Sequence, residues 1–135
     1  MYSAIEEAKK CINDVPVGCA IKKDGKIIST AHNERELQND ITAHAEILAI
    51  QRAQKILGTS RLTGCQLYVT LEPCPMCAGA LNWAQVGRIV YGAADPRRGY
   101  SLFTPSLLHP RTEVSSGVLA DECAALVQDF FKARR

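Results

Sequence analysis

The sequence predicts an α/β fold in which a mixed sheet is covered by helices on both faces. Three observations lead there. Segments of strand composition alternate with segments of helical period after an initial hairpin. An Asp-Gly pair separates the first two strand-like runs. The chain has 135 residues, 47% of them apolar, which suits one domain spanning 1–135 with its own core and leaves no room for a second.

The chain opens on a helical segment. Ser3 and Glu6 have the spacing of a capping box, and Ile5, Ala8 and Ile12 recur at helical period. Pro16 to Lys22 reads as a strand, and Asp24-Gly25 turns the chain into a second strand at Ile27 to Thr30. A polar stretch from His32 to Asp40 follows. A helix is expected from Thr42 to Leu57, with Ile47, Leu48, Ile50, Ala53 and Leu57 inward and Gly58 as its stop.

Gln66 to Thr70 has strand propensity. Pro75 to Trp83 reads as a helix with Cys74 at its N-cap and proline in its first position, where the missing N–H costs nothing. Arg88 to Gly92 is a further strand. Asp95 to Arg111 has no period and is expected to be an irregular surface segment, the kind of segment that often carries function. Thr112 to Ser115 supplies a last strand. The final helix, Val118 to Lys132, puts Cys123, Leu126, Val127, Phe130 and Phe131 on one stripe.

Composition excludes several classes. No apolar run approaches the roughly 20 residues that span a bilayer, so no membrane segment is expected. Glu6, Glu7, Lys9 and Lys10 interrupt any secretory leader, which points to the cytoplasm. Six cysteines in a chain with a proper core do not require disulfides, and Cys11, Cys19, Cys65 and Cys123 are expected to be buried thiols. A net charge of +2 is too small to argue for nucleic acid by itself. Arg97, Arg98 and Arg111 do fall in one loop-like region, and Lys132, Arg134 and Arg135 close the chain. Those groups read equally well as a solvated surface and a helix end favoured by the dipole.

Cys74 and Cys77 are the cysteines whose spacing asks for another explanation. Two thiols three residues apart reach one point near a helix start, where positive potential favours the thiolates that bind metal. They could instead form a redox pair, which would leave His44-Ala45-Glu46 without a role. Catalytic zinc takes three protein ligands and keeps one position open. His44 can be the third ligand if the strands before its helix and before the Cys74 helix run the same way, because both helix starts then share one sheet edge. Taken alone, a histidine there is more often structural. Glu46 fits beside the open position as proton carrier, although a spacing of two does not put it on the helix face of His44. In isolation it is simply an exposed helix glutamate.

His44-Ala45-Glu46 followed by Pro73-Cys74-Pro75-Met76-Cys77 resembles the motif of the cytidine deaminase superfamily. The likeness narrows further. Val15-Pro16-Val17-Gly18, Thr42 to Glu46, Leu67 to Cys74, Met76 to Ala80 and Ala120 to Leu126 are similar to bacterial tRNA-specific adenosine deaminases over nearly the whole chain. The resemblance implies a three-layer α/β/α cytidine-deaminase-like fold with a mixed sheet of about five strands. It also implies a homodimer, one zinc per chain, and conversion of the anticodon wobble adenosine of tRNA to inosine.

The same resemblance implies that Asn33 hydrogen-bonds the purine, Val17 packs on it, Asp95 lies near the flanking nucleotide, and the Cys74 N–H helps hold the tetrahedral oxygen. Read from its residue type alone, Asn33 is only a turn residue after a strand. In one respect the chain departs from that pattern: Gly99 to Glu113 is shorter than expected and lacks a Gly-Ser segment and an Asn-His pair. Two other functions remain open. One is a deaminase of free guanine or cytosine on the same fold. The other is a non-catalytic zinc module, whose fourth ligand would have to be His32 or His109.

Overall fold

The computed structural model describes residues 1–134, so Arg135 lies outside the described residues. A five-stranded sheet is ordered β2-β1-β3-β4-β5, with β1 Gly18–Lys23, β2 Lys26–His32, β3 Cys65–Leu71, β4 Arg88–Ala93 and β5 Glu113–Ser115. β1 is antiparallel to both β2 and β3, whereas β3, β4 and β5 are mutually parallel. The sheet is therefore mixed, as expected. Asp24 and Gly25 both have positive φ, 52° and 77°, the conformation a two-residue type I′ hairpin turn requires.

Among the described residues five α-helices complete the architecture: α1 Tyr2–Ala8, α2 Arg35–Gln38, α3 Ala45–Leu57, α4 Pro75–Ala84 and α5 Ala120–Lys132. α3 packs on β1 and β2 and meets α4, while α1 lies on β1, β2 and β3 and α5 on β3 and β4. The larger apolar cluster joins Ile21, Leu67, Val69 and Ile89 of the sheet to Leu48 and Ile50 of α3 and Leu81 of α4. A smaller one joins Ile5 of α1 to Ala93 and to Cys123 of α5. These are the two interfaces of a three-layer α/β/α fold. The outer layer sits close: a side chain at Gly18 would run into the Ala4 carbonyl of α1, and one at Gly92 into the Cys123 thiol. Among the described residues, no helix is long and apolar enough to cross a membrane.

Several expectations need correction. Helix α1 has Met1 at its N-cap with no side-chain bond, and Glu6 pairs forward with Lys9 at 3.1 Å, so Ser3 and Glu6 form no capping box. It stops at Ala8, which leaves Ile12 exposed. The polar stretch contains the short α2, and α3 starts at Ala45 because Thr42 turns back onto the Asp40 carboxylate. Within the irregular segment, Tyr100–Leu102 forms a 3-10 turn. The stripe of α5 is only partly covered: Cys123 is buried and Phe131 is exposed. All six cysteines are free; Cys19, Cys65 and Cys123 are buried, while Cys11 is only half-buried against the Val17 and Asn33 carbonyls.

Candidate active site

Because β2 and β3 are both antiparallel to β1, they run in the same direction with β1 between them. The helices that follow, α3 and α4, accordingly begin at the same edge of the sheet. Their N-caps are His44 and Cys74, both extended, with ψ of 152° and 169°. Neither side chain caps its own helix, and each is free to turn toward the other.

They do so. His44 Nδ1 lies 3.7 Å from Cys74 Sγ and 3.5 Å from Cys77 Sγ, and the three donor atoms all fall within 4.8 Å of one another. Around a tetrahedral ion with zinc's bond lengths, a sulfur and a nitrogen ligand would stand about 3.6 Å apart. The donor set and its spacing thus fit such an ion. Among the described residues no other group of three metal-ligating side chains converges. His32 is engaged with Glu7 Oε1 at 3.1 Å, and His109 Nδ1 accepts the Arg111 N–H, so neither joins the cluster as a fourth ligand.

The electrostatics reflect crowding of acidic groups. Hydrogen bonding from Cys77 outweighs the opposing effect of burial and, with the His44 ring, holds the Cys74 thiol down at about 4. Cys77 moves the other way, raised by that same bond and by its burial. A cation held by the two sulfurs would favour their thiolate forms. The His44 ring is raised, chiefly by its hydrogen bond to Cys74, while burial and the Arg35 charge oppose the rise.

Glu46 sits in the first turn of α3 and is only 4% exposed. Burial pushes its carboxyl up to about 7. His44, being the extended N-cap, lies outside the helical register, and the two-residue spacing is no obstacle: both side chains line one cleft of about 130 Å³. A broader and more open groove beside Gln54, Lys55 and Thr59 is lined by no histidine, cysteine or carboxylate.

The model of the MafB19-like deaminase family matches the chain over residues 1–135. The chain belongs to this deaminase family. It is 47% identical to the tRNA-specific adenosine deaminase of Bacillus subtilis, over 142 aligned residues covering 100% of this chain and 88% of the relative. A solved structure from a study of A-to-I editing by tRNA:A34 deaminases at the wobble position superposes with a TM-score of 0.88 at 40% identity, covering 93% of this chain and 96% of that one. The structure of guanine deaminase from Bacillus subtilis superposes with a TM-score of 0.66 at 43% identity, covering 69% of this chain and 61% of that one.

In this deaminase the cleft also takes in Val17, Asn33 and Asp95. Asn33 donates from Nδ2 to the Val15 carbonyl and accepts the Ala45 N–H on Oδ1, both at 2.8 Å. One donor and one acceptor of its amide are thus committed to the backbone. Val17 is buried and its carbonyl accepts the Asn33 N–H at 3.1 Å. The Asp95 carboxylate accepts the backbone N–H groups of Arg97 and Arg98, which forms a tight loop at the cleft.

Two further residues of the cleft were not foreseen. Glu72, 4% exposed, accepts the Asp95 N–H at 3.1 Å on one oxygen, and on the other the Ser101 N–H at 3.0 Å and hydroxyl at 2.7 Å. It ties the loop bearing Asp95 to the end of β3. The signal was an acid at a strand end directly before Pro73-Cys74. Arg35 also lines the cleft, fixed by the buried Asp14. Its position within a polar stretch gave no signal.

Proposed function

We propose that this deaminase hydrolyses the wobble adenosine of a tRNA anticodon to inosine, with zinc held by His44, Cys74 and Cys77. The observation that carries the reading is the cleft itself. His44, Cys74 and the buried Glu46 line it and Cys77 completes the three-ligand group, in a chain that matches a tRNA-specific adenosine deaminase over its whole length. When bound, zinc supplies the Lewis acidity that makes a water nucleophilic at neutral pH.

The chain's own residues do the rest. Glu46 accepts a proton from the attacking water as its oxygen adds to C6 of the purine, and delivers that proton to the ring nitrogen. It then passes the second proton to the departing amino group, so that C6–N6 breaks, ammonia leaves and the carbonyl of inosine forms. A carboxyl raised toward neutral pH suits both directions of transfer. Asn33 offers its remaining amide capacity to the base, Val17 its apolar surface, and Asp95 keeps its loop in place beside the neighbouring nucleotide.

The reading includes a single domain over 1–135, a homodimer and a cytoplasmic setting alongside its tRNA substrate. Support for the dimer comes from α4, where Met76 and Trp83, seven residues apart on one helix face, are exposed. Arg97, Arg98, Arg111, Lys132 and Arg134 are exposed cations available to an RNA backbone, and the Arg134 guanidinium stacks 3.6 Å above the Phe130 ring.

The likeness to a guanine deaminase favours a second reading, a free base as substrate. One assay separates them: ammonia release from an anticodon stem-loop RNA, with free adenosine, guanine and cytosine run alongside, at low and moderate salt. Turnover of the stem-loop, with apparent affinity that falls as salt rises, is the expected result. Efficient turnover of guanine or cytosine with an inert stem-loop would transfer the assignment to the free base.

A further inference from the structure

Arg35 is built into the cleft in a way that a surface arginine is not. Its Nε and Nη2 donate to Asp14 Oδ1 at 3.1 and 2.9 Å. Asp14 is 3% exposed, and its carboxylate also takes the Val15 N–H at 2.9 Å and the Glu36 N–H at 3.3 Å. The acid is thereby saturated and holds the guanidinium from behind. Of the five N–H donors of an arginine, those not facing Asp14 have no partner among the described residues and are available at the cleft.

Among the described residues Asp14 is the one acid in an ion pair with Arg35. Glu72 accepts from Asp95 and Ser101 on both oxygens, one Asp95 oxygen accepts the backbone N–H groups of Arg97 and Arg98, and Glu46 is buried. Arg98 brings a second guanidinium to the same cleft, in no ion pair among the described residues. A cleft of about 130 Å³ is also well below the roughly 300–1,000 Å³ of pockets that enclose a drug-sized ligand. A cleft of this size cannot enclose a whole nucleotide, and both arginines line it.

We propose that Arg35, aimed by Asp14 and assisted by Arg98, binds the backbone phosphate adjoining the reacting nucleotide. The inference rests on the tRNA reading and adds to it the residue that recognises a polynucleotide rather than a free base. A planar fork of N–H donors matches two phosphate oxygens, and the pairing with Asp14 fixes the side chain before RNA arrives, so less side-chain entropy is lost on binding. A free base can accept N–H donors but brings no phosphate charge to this cation.

The experiment uses the metal-loaded full chain and three stem-loop RNAs: the parent, and two carrying one uncharged methylphosphonate linkage, 5′ or 3′ of the target adenosine. Wild type should lose about tenfold in kcat/KM on one of the two neutral linkages. Arg35→Gln should be about tenfold weaker on the parent and lose less than about twofold more on that same linkage, because the two changes remove one interaction. Asp14→Asn should show an intermediate sensitivity. Should Arg35→Gln fail to fold with its buried acid unpaired, wild type on the three RNAs and Arg35→Lys, which keeps the charge without the fork, decide the matter. A wild type that deaminates all three RNAs equally overturns the inference alone, as does an Arg35→Gln protein as sensitive to the linkage as wild type. A wild type inert on the parent RNA overturns the tRNA reading together with it.

Discussion

The side-chain oxygen of Asn33 accepts the backbone N–H of Ala45 at 2.8 Å, so a residue just beyond β2 caps the helix that presents Glu46. Helix starts leave N–H groups without partners, and the N-cap side chain usually satisfies one. Here His44 cannot, because its ring is turned to the two sulfurs. Asn33 does it from outside the helix while its amide nitrogen holds Val15 at 2.8 Å.

Replacing Asn33 by alanine should therefore reduce stability as well as activity. A buried N–H left without a partner costs about 1–3 kcal/mol, and Asn33→Asp, which keeps that acceptor but sets a carboxylate oxygen against the Val15 carbonyl, should recover only part of the loss. Chemical denaturation of the three proteins provides the measurement. An unchanged midpoint for Asn33→Ala would mean that water replaces the cap.

Removal of a sulfur should empty the metal site. Cys74→Ala or Cys77→Ala leaves two protein donors where three converge, and a purified variant should contain well under one metal per chain by elemental analysis. Full metal content in both variants would refute the assigned ligand set.

Glu46→Gln should be folded, metal-loaded and nearly inactive. The amide is isosteric with the buried carboxyl but cannot carry a proton, and general acid–base groups contribute about 10²–10⁴-fold. Single-turnover deamination alongside metal analysis would check both halves. Activity within a few-fold of wild type removes Glu46 from the reaction.

Glu7 sets a pH limit on stability. Burial raises its carboxyl, but hydrogen bonds to Lys10 and His32 outweigh that effect, and its folded value lies below the ordinary 4.5. A group depressed in the folded state contributes stability that is complete above its unfolded value and is lost as pH falls through the folded one. Wild type should exceed Glu7→Gln by about 1 kcal/mol at neutral pH, with the difference shrinking below pH 4.5. A difference independent of pH would show that the ion pairs contribute nothing.

The order of strands and long helices was legible in the sequence because apolar period, Asp24-Gly25, Gly58 and Pro75 mark elements locally. What the residues alone left open was where the elements meet. His44 and Cys74 are 30 residues apart, and they become neighbours because β1 inserts between two strands that run the same way. The capping-box pattern at Ser3 misled because a local motif is silent about what the rest of the chain offers. Met1 starts that helix instead, and Glu6 finds Lys9. Arg35 and Glu72 were invisible for the same reason: each works through partners, Asp14 and Ser101, that lie 21 and 29 residues away.

Trp83 is the sole tryptophan of the chain and is 88% exposed, on the outer face of α4. In the single chain, intrinsic fluorescence excited selectively at that indole will consequently be almost blind to unfolding of the core, since the ring is hydrated before and after. The same emission should shift to the blue, with reduced quenching by iodide, whenever a second chain covers that face. The protein thus carries an unlabelled optical probe of its own association, and dilution series read at this one residue would separate subunit contact from folding.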